Sequence, residues 1–247
     1  MMIKVPFPII ENYSIEELKE RLLILKKHEK LSIFGKKRHS AIGESLEKYL
    51  GLTKDSSKSA DWGDYELKTI SQTSGKLRLI SMNWFFLRSY SAKQLVLDYG
   101  KNHFSKHLEK PVIRLDWKIS YSDNHIKQLH YRIYNNKLEL LYDKKVLGNK
   151  DLNKLESHYN QKMKILVLVE VEKNKDNTFS IKRAKLLEKT SIKKLLFAMK
   201  NNIIELSFAL MLIEPYSTKE KFNNRGSSLK IPIKKLNILY EDEYVIC

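Results

Sequence analysis

The chain has one cysteine in 247 residues, and it is the last of them, Cys247. That excludes a disulfide framework and a thiolate zinc cluster. The seven histidines show no zinc-ligand spacing. No run of about 18 uncharged apolar residues occurs, so no helix is expected to span a bilayer. The stretch Met1-Met2-Ile3-Lys4-Val5-Pro6 lacks the apolar run and small-residue cleavage site of a secretory signal. A cytoplasmic protein is the expectation. No Gly-rich phosphate loop or nucleophile elbow is present, so nucleotide hydrolysis and serine-hydrolase chemistry have no candidate site. Acids are scarce as well: Lys+Arg 46 against Asp+Glu 29 leaves a net charge of +17.

Such an excess of positive charge attracts polyanions. Codon bias toward AT-rich DNA would explain lysine in place of arginine, but not the shortage of acids. No single basic amphipathic helix dominates, which favours nucleic acid over an anionic membrane surface. With 42% hydrophobic residues the chain can bury a substantial core, as one large domain or two packed lobes.

The pattern of elements is mixed α/β (α+β) without a regular βαβ rhythm. Ser14-Ile15-Glu16-Glu17 is a capping-box pattern that opens a helix over 14–30. A basic turn (36–39) and a helix over 41–50 follow, the helix stopped by Gly51. A polar loop (54–59) leads to strands over 65–71 and 77–84. Helices are expected at 91–99, 151–163 and 191–201. Strands are expected at 112–121, 164–173, 178–187 and 203–213, and 128–134 with 137–142 form a hairpin about Asn135-Asn136. Residues 216–228 read as a polar, basic loop, ahead of a short helix and a final strand near 244–246.

Within this frame Asp61-Trp62-Gly63-Asp64-Tyr65-Glu66-Leu67-Lys68-Thr69 carries the chemistry. In a strand Glu66 and Lys68 share a face while Leu67 points away. Asp61, across Gly63, can fold back beside them. Two carboxylates and an ammonium about one point suit a hard cation and an attacking water. Other acid-x-lysine triplets occur: Glu17-Leu18-Lys19 is helical, Asp116-Trp117-Lys118 lacks a second acid upstream, and Asp143-Lys144-Lys145 reads as a solvated turn. Asp64 competes with Asp61, but shares the face of Glu66 only if the strand begins early; Asp61 is preferred. Trp62 and Tyr65 are expected to be core residues under the turn.

Ala41-Ile42-Gly43-Glu44-Ser45-Leu46-Glu47, then Asp61 and Glu66-Leu67-Lys68-Thr69, resemble the catalytic region of MutH-like endonucleases. The short D-x4-E-x-K spacing is similar to that of the MvaI/BcnI restriction enzymes rather than MutH itself. Asn223-Asn224-Arg225-Gly226-Ser227-Ser228-Leu229-Lys230-Ile231 resembles the closing segment of the same family, with Asn223, Asn224 and Arg225 where the relatives are histidine-rich. The resemblance implies a PD-(D/E)xK core, a mixed sheet flanked by helices, in two lobes around a DNA cleft. The catalytic lobe would span roughly 31–110 and the recognition lobe roughly 111–247, including the 216–230 loop. Asp61, Glu66 and the Leu67 carbonyl would hold Mg2+, with Mn2+ as a substitute, and Lys68 would act on the water and the phosphate. Glu47 matches the family's helical glutamate. Arg225, Ser227 and Lys230 are candidates for DNA reading or clamping, with Lys76 and Arg78 as phosphate contacts.

The implied activity is that of a type II restriction endonuclease cutting a short double-stranded DNA sequence to leave 5′-phosphate ends. The implied partner is a DNA methyltransferase that protects the host, and the implied state a monomer or weak dimer. Two alternatives stay open: a methylation-directed nicking or repair endonuclease, and a DNA-binding protein without chemistry.

Overall fold

A computed structural model describes residues 7–8, 14–35, 40–52, 60–71, 75–87, 90–115, 118–124 and 126–247. The expected basic turn (36–39), the 54–59 loop and Asp116-Trp117 lie outside them. The first elements are α1 (Ile15–Lys27), β1 (Leu31–Ser32), α2 (Ala41–Tyr49), β2 (Tyr65–Ser71), β3 (Lys76–Met82), β4 (Phe85–Phe86) and α3 (Ala92–Tyr99). Next come β5 (Lys101–Ser105), β6 (Lys110–Leu115), β7 (Lys118–Tyr121), β8 (Leu129–Tyr134), β9 (Lys137–Tyr142), β10 (Lys145–Asp151) and α4 (Leu152–Met163). Last are β11 (Ile165–Lys173), β12 (Thr178–Glu188), α5 (Ile192–Lys200), β13 (Glu205–Ile213), β14 (Lys221–Pro232), a 3-10 turn (Ile233–Ile238) and β15 (Asp242–Val245).

These elements sort into two compact units. Met1–Leu77, His158–Ile192 and Ile233–Cys247 make the first, and Arg78–Ser157 with Lys193–Pro232 the second. The two units are thus interleaved along the chain rather than consecutive. Residues 78–110 pack with the second unit, while 158–192 and 233–247 pack with the first. The cause is the parallel pairing of β2 with β11, Tyr65 against Ile165. Parallel neighbours cannot be joined by a tight turn, so the chain must leave and return.

The first unit is built on a sheet of order β1-β12-β11-β2, with β15 also paired to β12. Leu166, Val167, Leu168 and Val169 of β11 are all buried, as expected for a strand covered on both faces. On one face Val167 and Val169 join Leu22 of α1, Leu46 of α2, Leu67 of β2 and Phe179 of β12 in a single core. Ser14 caps α1 by accepting the Glu17 N–H at 3.2 Å, a bond worth about 1 kcal/mol. The reciprocal half of the capping box is not made. The Glu17 carboxylate is held by Arg21 at 2.9 Å instead, and Arg21 donates to the Leu50 carbonyl at the end of α2. Gly51 has φ +80, and a Cβ there would meet the Pro8 carbonyl oxygen at 2.6 Å. Only glycine stops α2 this way.

The second unit is a ten-stranded sheet of order β3-β14-β13-β7-β8-β9-β10-β4, with β6 on β13 and β5 on β6. The β8–β9 hairpin turns on Asn135 (φ 46) and Asn136 (φ 56), the left-handed pair its sequence expects. Two segments differ from expectation. Lys145–Asp151, expected to begin in a solvated turn, pairs with β9 as β10. Lys221–Pro232, of which residues 221–228 are expected to belong to a loop, is a long strand against β13. Its Asn, Gly and Ser residues have low strand propensity, and pairing with the apolar β13 overrides it. Among the described residues no helix is long and apolar enough to cross a membrane.

Candidate active site

Everything in the site follows from how the chain enters β2. The Trp62 and Tyr65 backbones exchange both hydrogen bonds, at 2.9 and 2.8 Å, around Gly63 at φ +58. Trp62 is 1% exposed and donates its indole N–H to the Ser14 carbonyl at 3.1 Å, which anchors the turn in the core as expected. Asp61 then lies alongside β2, where its Oδ2 accepts the Leu67 N–H at 3.1 Å. Since β2 ends the sheet path, this N–H faces the free edge. The N–H and C=O of one strand residue point to the same side, so the Leu67 carbonyl faces the edge where Asp61 sits. Asp64 stands exposed at the tip of the turn.

Glu66 and Lys68 share the face opposite Leu67. Glu66 is fully buried, and its Oε1 is bonded by the Lys68 ammonium. A second ammonium, Lys162 of α4, reaches the same oxygen at 3.4 Å. Burial is the main force raising the Glu66 pKa, opposed by Lys68 and reinforced by the Asp61 charge. The other oxygen, Oε2, is buried and accepts no hydrogen bond. An orphaned buried carboxylate oxygen is costly, and a cation would satisfy it. Among the described residues no three of His, Cys, Asp and Glu converge on one point. The oxygens beside β2 are the Asp61 and Glu66 carboxylates and the Leu67 carbonyl, hard donors of the kind that take divalent cations.

Beside β2 lies a cavity of about 310 Å3 lined by Ser40 and the α2 residues Gly43, Glu44 and Glu47, with Asp61, Leu67 and Lys68. A Cβ at Gly43 would stand 3.2 Å from the Thr69 hydroxyl, so the glycine lets α2 approach β2. Glu47 is pushed up to about 7, first by burial and then by the Asp61 charge. A carboxyl whose pKa is raised by folding stabilises the protein below its ordinary value, and that contribution is lost as pH climbs through the raised one. Without metal, the melting temperature should therefore fall between about pH 4.5 and 7, and Glu47→Gln should flatten that slope. Differential scanning fluorimetry across this range checks it; equal slopes would count against the buried Glu47–Asp61 coupling.

Lys162 escaped the sequence reading because nothing local marks it: it is one of many lysines, 96 residues from Glu66, on a polar helix. Its place beside a candidate ligand carboxylate gives Lys162→Met an expected 10- to 100-fold loss in cleavage rate, roughly that of removing a residue that orients a ligand. Single-turnover kinetics measures it, and an unchanged rate would remove Lys162 from the site.

The expected DNA contacts fall out unevenly. Lys76 and Arg78 are exposed, two apart on one face of β3, and Lys230 is half-buried on β14. Ser227 is 2% exposed, and its hydroxyl accepts from the Trp84 indole at 2.8 Å and donates to the Met82 carbonyl at 3.1 Å, so its one O–H donor is already engaged. The hydroxyl was expected on a loop, but it lies on a paired strand. Arg225 and Gly226 together stand opposite Ala209, because Phe208 pairs with Ser227 and Leu210 with Asn224. With Gly226 at φ +72 this is a β-bulge, a device that re-aims side chains.

Helices over a mixed sheet whose edge strand carries D-x4-E-x-K define the PD-(D/E)xK nuclease class. The sequence profile of the MvaI/BcnI restriction endonuclease family matches residues 23–240. The chain belongs to that family and is a type II restriction endonuclease, a site-specific nuclease. Members of the family generally use divalent metal ions. Two solved structures share the fold. The restriction endonuclease MvaI–cognate DNA substrate complex matches over 96% of this chain and 100% of its own, at TM-score 0.75 and 18% identity. MvaI in the absence of DNA matches over 98% and 100%, at TM-score 0.52 and 17% identity. No curated protein sequence matches it significantly.

Proposed function

We propose that this enzyme hydrolyses phosphodiester bonds within a short specific sequence of double-stranded DNA, using Mg2+ held by Asp61, Glu66 and the Leu67 carbonyl. The observation that carries the reading is the edge of β2. There Asp61 is bonded to the Leu67 N–H, next to a Glu66 whose Oε2 has no partner and whose Oε1 is held by Lys68. Mn2+ fits the same oxygens. The cation, when bound, supplies Lewis-acid activation of water and neutralises phosphate charge.

The protein's own groups do the rest. Lys68 donates to a phosphate oxygen and stabilises the charge that builds up in the transition state. Asp61 is placed for its role by the Trp62–Tyr65 turn, and the exposed Asp64 has no part in it. Glu47, titrating near neutrality at the cavity wall, orients the attacking water. The water oxygen bonds to phosphorus and gives up a proton to solvent, the P–O3′ bond breaks, and the 3′ oxygen takes up a proton from solvent, leaving 5′-phosphate and 3′-hydroxyl ends. Lys76, Arg78, Lys230 and Arg225 contact the duplex. Duplex DNA is the partner of the structurally similar MvaI complex, and the net charge of +17 suits it here. The enzyme acts in the cytoplasm as a monomer or weak dimer, alongside a methyltransferase that protects the host sequence.

Purified protein with supercoiled plasmid and Mg2+ tests the reading. Discrete linear fragments are expected. Nicked circles alone would favour a nicking enzyme, and intact plasmid at every enzyme excess would reject catalysis by this site.

A further inference from the structure

Helix α4 ends next to the catalytic strand. Its last turn carries Lys162, and only Lys164 separates its final residue, Met163, from Ile165 at the start of β11. Leu166, the second residue of β11, is registered with Glu66 of β2. The point at which α4 stops therefore decides where the Lys162 ammonium stands, 3.4 Å from Glu66 Oε1. A side chain that fixes the end of α4 fixes this contact.

The last four carbonyls of an α-helix have no partner inside it. The Met163 carbonyl is one of these, on a fully buried residue. Tyr240 donates its phenol O–H to it at 2.9 Å. Tyr240 is 3% exposed and is itself held from two directions. Its N–H donates to the Leu236 carbonyl in the 3-10 turn at 3.3 Å, and the next N–H, that of Glu241, donates to the Glu188 carbonyl of β12 at 3.2 Å. Burial holds the Tyr240 phenol well above its ordinary pKa, with Tyr159 and the Glu66 charge adding to the shift, so the O–H stays a donor. All of these residues belong to the first unit. Packing asks only for the ring, which phenylalanine would supply as well; the hydroxyl is spent on the helix end.

We infer that Tyr240 is a positioning residue for cleavage, which caps the carboxyl end of α4 and so holds Lys162 against Glu66. The inference rests on the reading of Glu66 as part of a DNA-cleaving site, and adds the group behind that site which keeps its second ammonium in place. Without the hydroxyl a buried carbonyl loses its partner, the last turn of α4 opens more often, and Lys162 leaves Glu66 with it. Tyr159 is the matched comparison. It is fully buried on the same helix, but its hydroxyl bonds the Thr190 hydroxyl at 2.7 Å instead of the terminal carbonyl.

The test uses the full chain, and its first arm needs neither metal nor DNA. A short pulse of an amine-acetylating reagent is followed by mass spectrometry of Lys162, with the exposed Lys193 as the reference amine. Tyr240→Phe should raise Lys162 acetylation by about 3- to 10-fold, the factor that one net hydrogen bond is worth. Tyr159→Phe, the same loss of one buried O–H, should stay within about two-fold of wild type. The second arm is single-turnover cleavage with Mg2+. Tyr240→Phe should slow it by about 3- to 10-fold in the wild-type background and by less than about two-fold in Lys162→Met, because residues acting through one contact are not additive. Unchanged Lys162 acetylation in Tyr240→Phe overturns the inference. So does an equal rise in Tyr159→Phe, which would mean general loosening of the helix, or a full Tyr240→Phe effect in the Lys162→Met background. Raised acetylation with wild-type cleavage upholds the cap and overturns the part of Lys162 in the reaction. Wild-type protein that cuts no DNA overturns the enzymatic reading, while the acetylation arm still decides whether Tyr240 holds Lys162.

Discussion

Lys68→Ala is expected to slow single-turnover cleavage by about 10³-fold, the scale of removing one preorganised donor from developing charge. Asp61→Ala should be at least as severe. The Asp61 carboxylate is both a candidate metal oxygen and the acceptor of the Leu67 N–H, so its loss removes a ligand and frees the strand edge beside the Leu67 carbonyl. Asp64→Asn should stay within about three-fold of wild type, since exposed positions away from a site change little. The contrast between two aspartates three residues apart is the informative part. Asp61 lines the cavity beside Glu47 and Lys68, while Asp64 stands at the exposed tip of the turn. Rate constants at saturating enzyme, with binding measured separately in Ca2+, separate lost chemistry from lost affinity. A large loss in Asp64→Asn together with an active Asp61→Ala would reverse the assignment.

The second large effect concerns stability. Trp62→Ala should destabilise the protein by about 3–5 kcal/mol, the range for removing a buried aromatic. Its ring is 1% exposed in the core that also holds Leu22, Leu46 and Leu67. Its indole N–H donates across 48 residues to the Ser14 carbonyl at the start of α1. Trp62→Phe keeps most of the packing and loses that bond, at a cost of about 1–2 kcal/mol. Urea titrations give both values, provided the slopes match wild type. Because Trp62 adjoins Asp61, the alanine variant should also cleave poorly under conditions where it remains folded. A stable Trp62→Ala would mean that the turn is not anchored in the core.

Much of this was legible in the chain wherever the information is local. Two-residue alternation places Glu66 and Lys68 together and sends Leu67 into the core. Asn135-Asn136 names its own turn, Gly51 its own helix stop, and Ser14 the cap of α1. The 65–71 strand and the 41–50 helix were readable for the same reason. What could not be read depends on contacts distant in sequence. Lys162 meets Glu66 only because β2 pairs with β11, which brings the end of α4 beside it. Strand β14 hides among Asn, Arg, Gly and Ser, whose propensities favour a loop, and its pairing between β3 and β13 makes it a strand. Ser227 looked like a loop hydroxyl until that pairing buried it. The two units likewise interleave in the chain, so no composition shift marks where one yields to the other.

The central claim, a sequence-specific metal-dependent cut made by the Asp61–Lys68 stretch, is tested most directly by mapping fragment ends at nucleotide resolution on one sequenced plasmid. The account predicts that with Mg2+ every end falls within one short recurring sequence and carries a 5′-phosphate. It also predicts that Lys68→Ala, at equal protein concentration, produces none of those ends. Ends scattered without sequence preference, or the same ends made equally by Lys68→Ala, would contradict it.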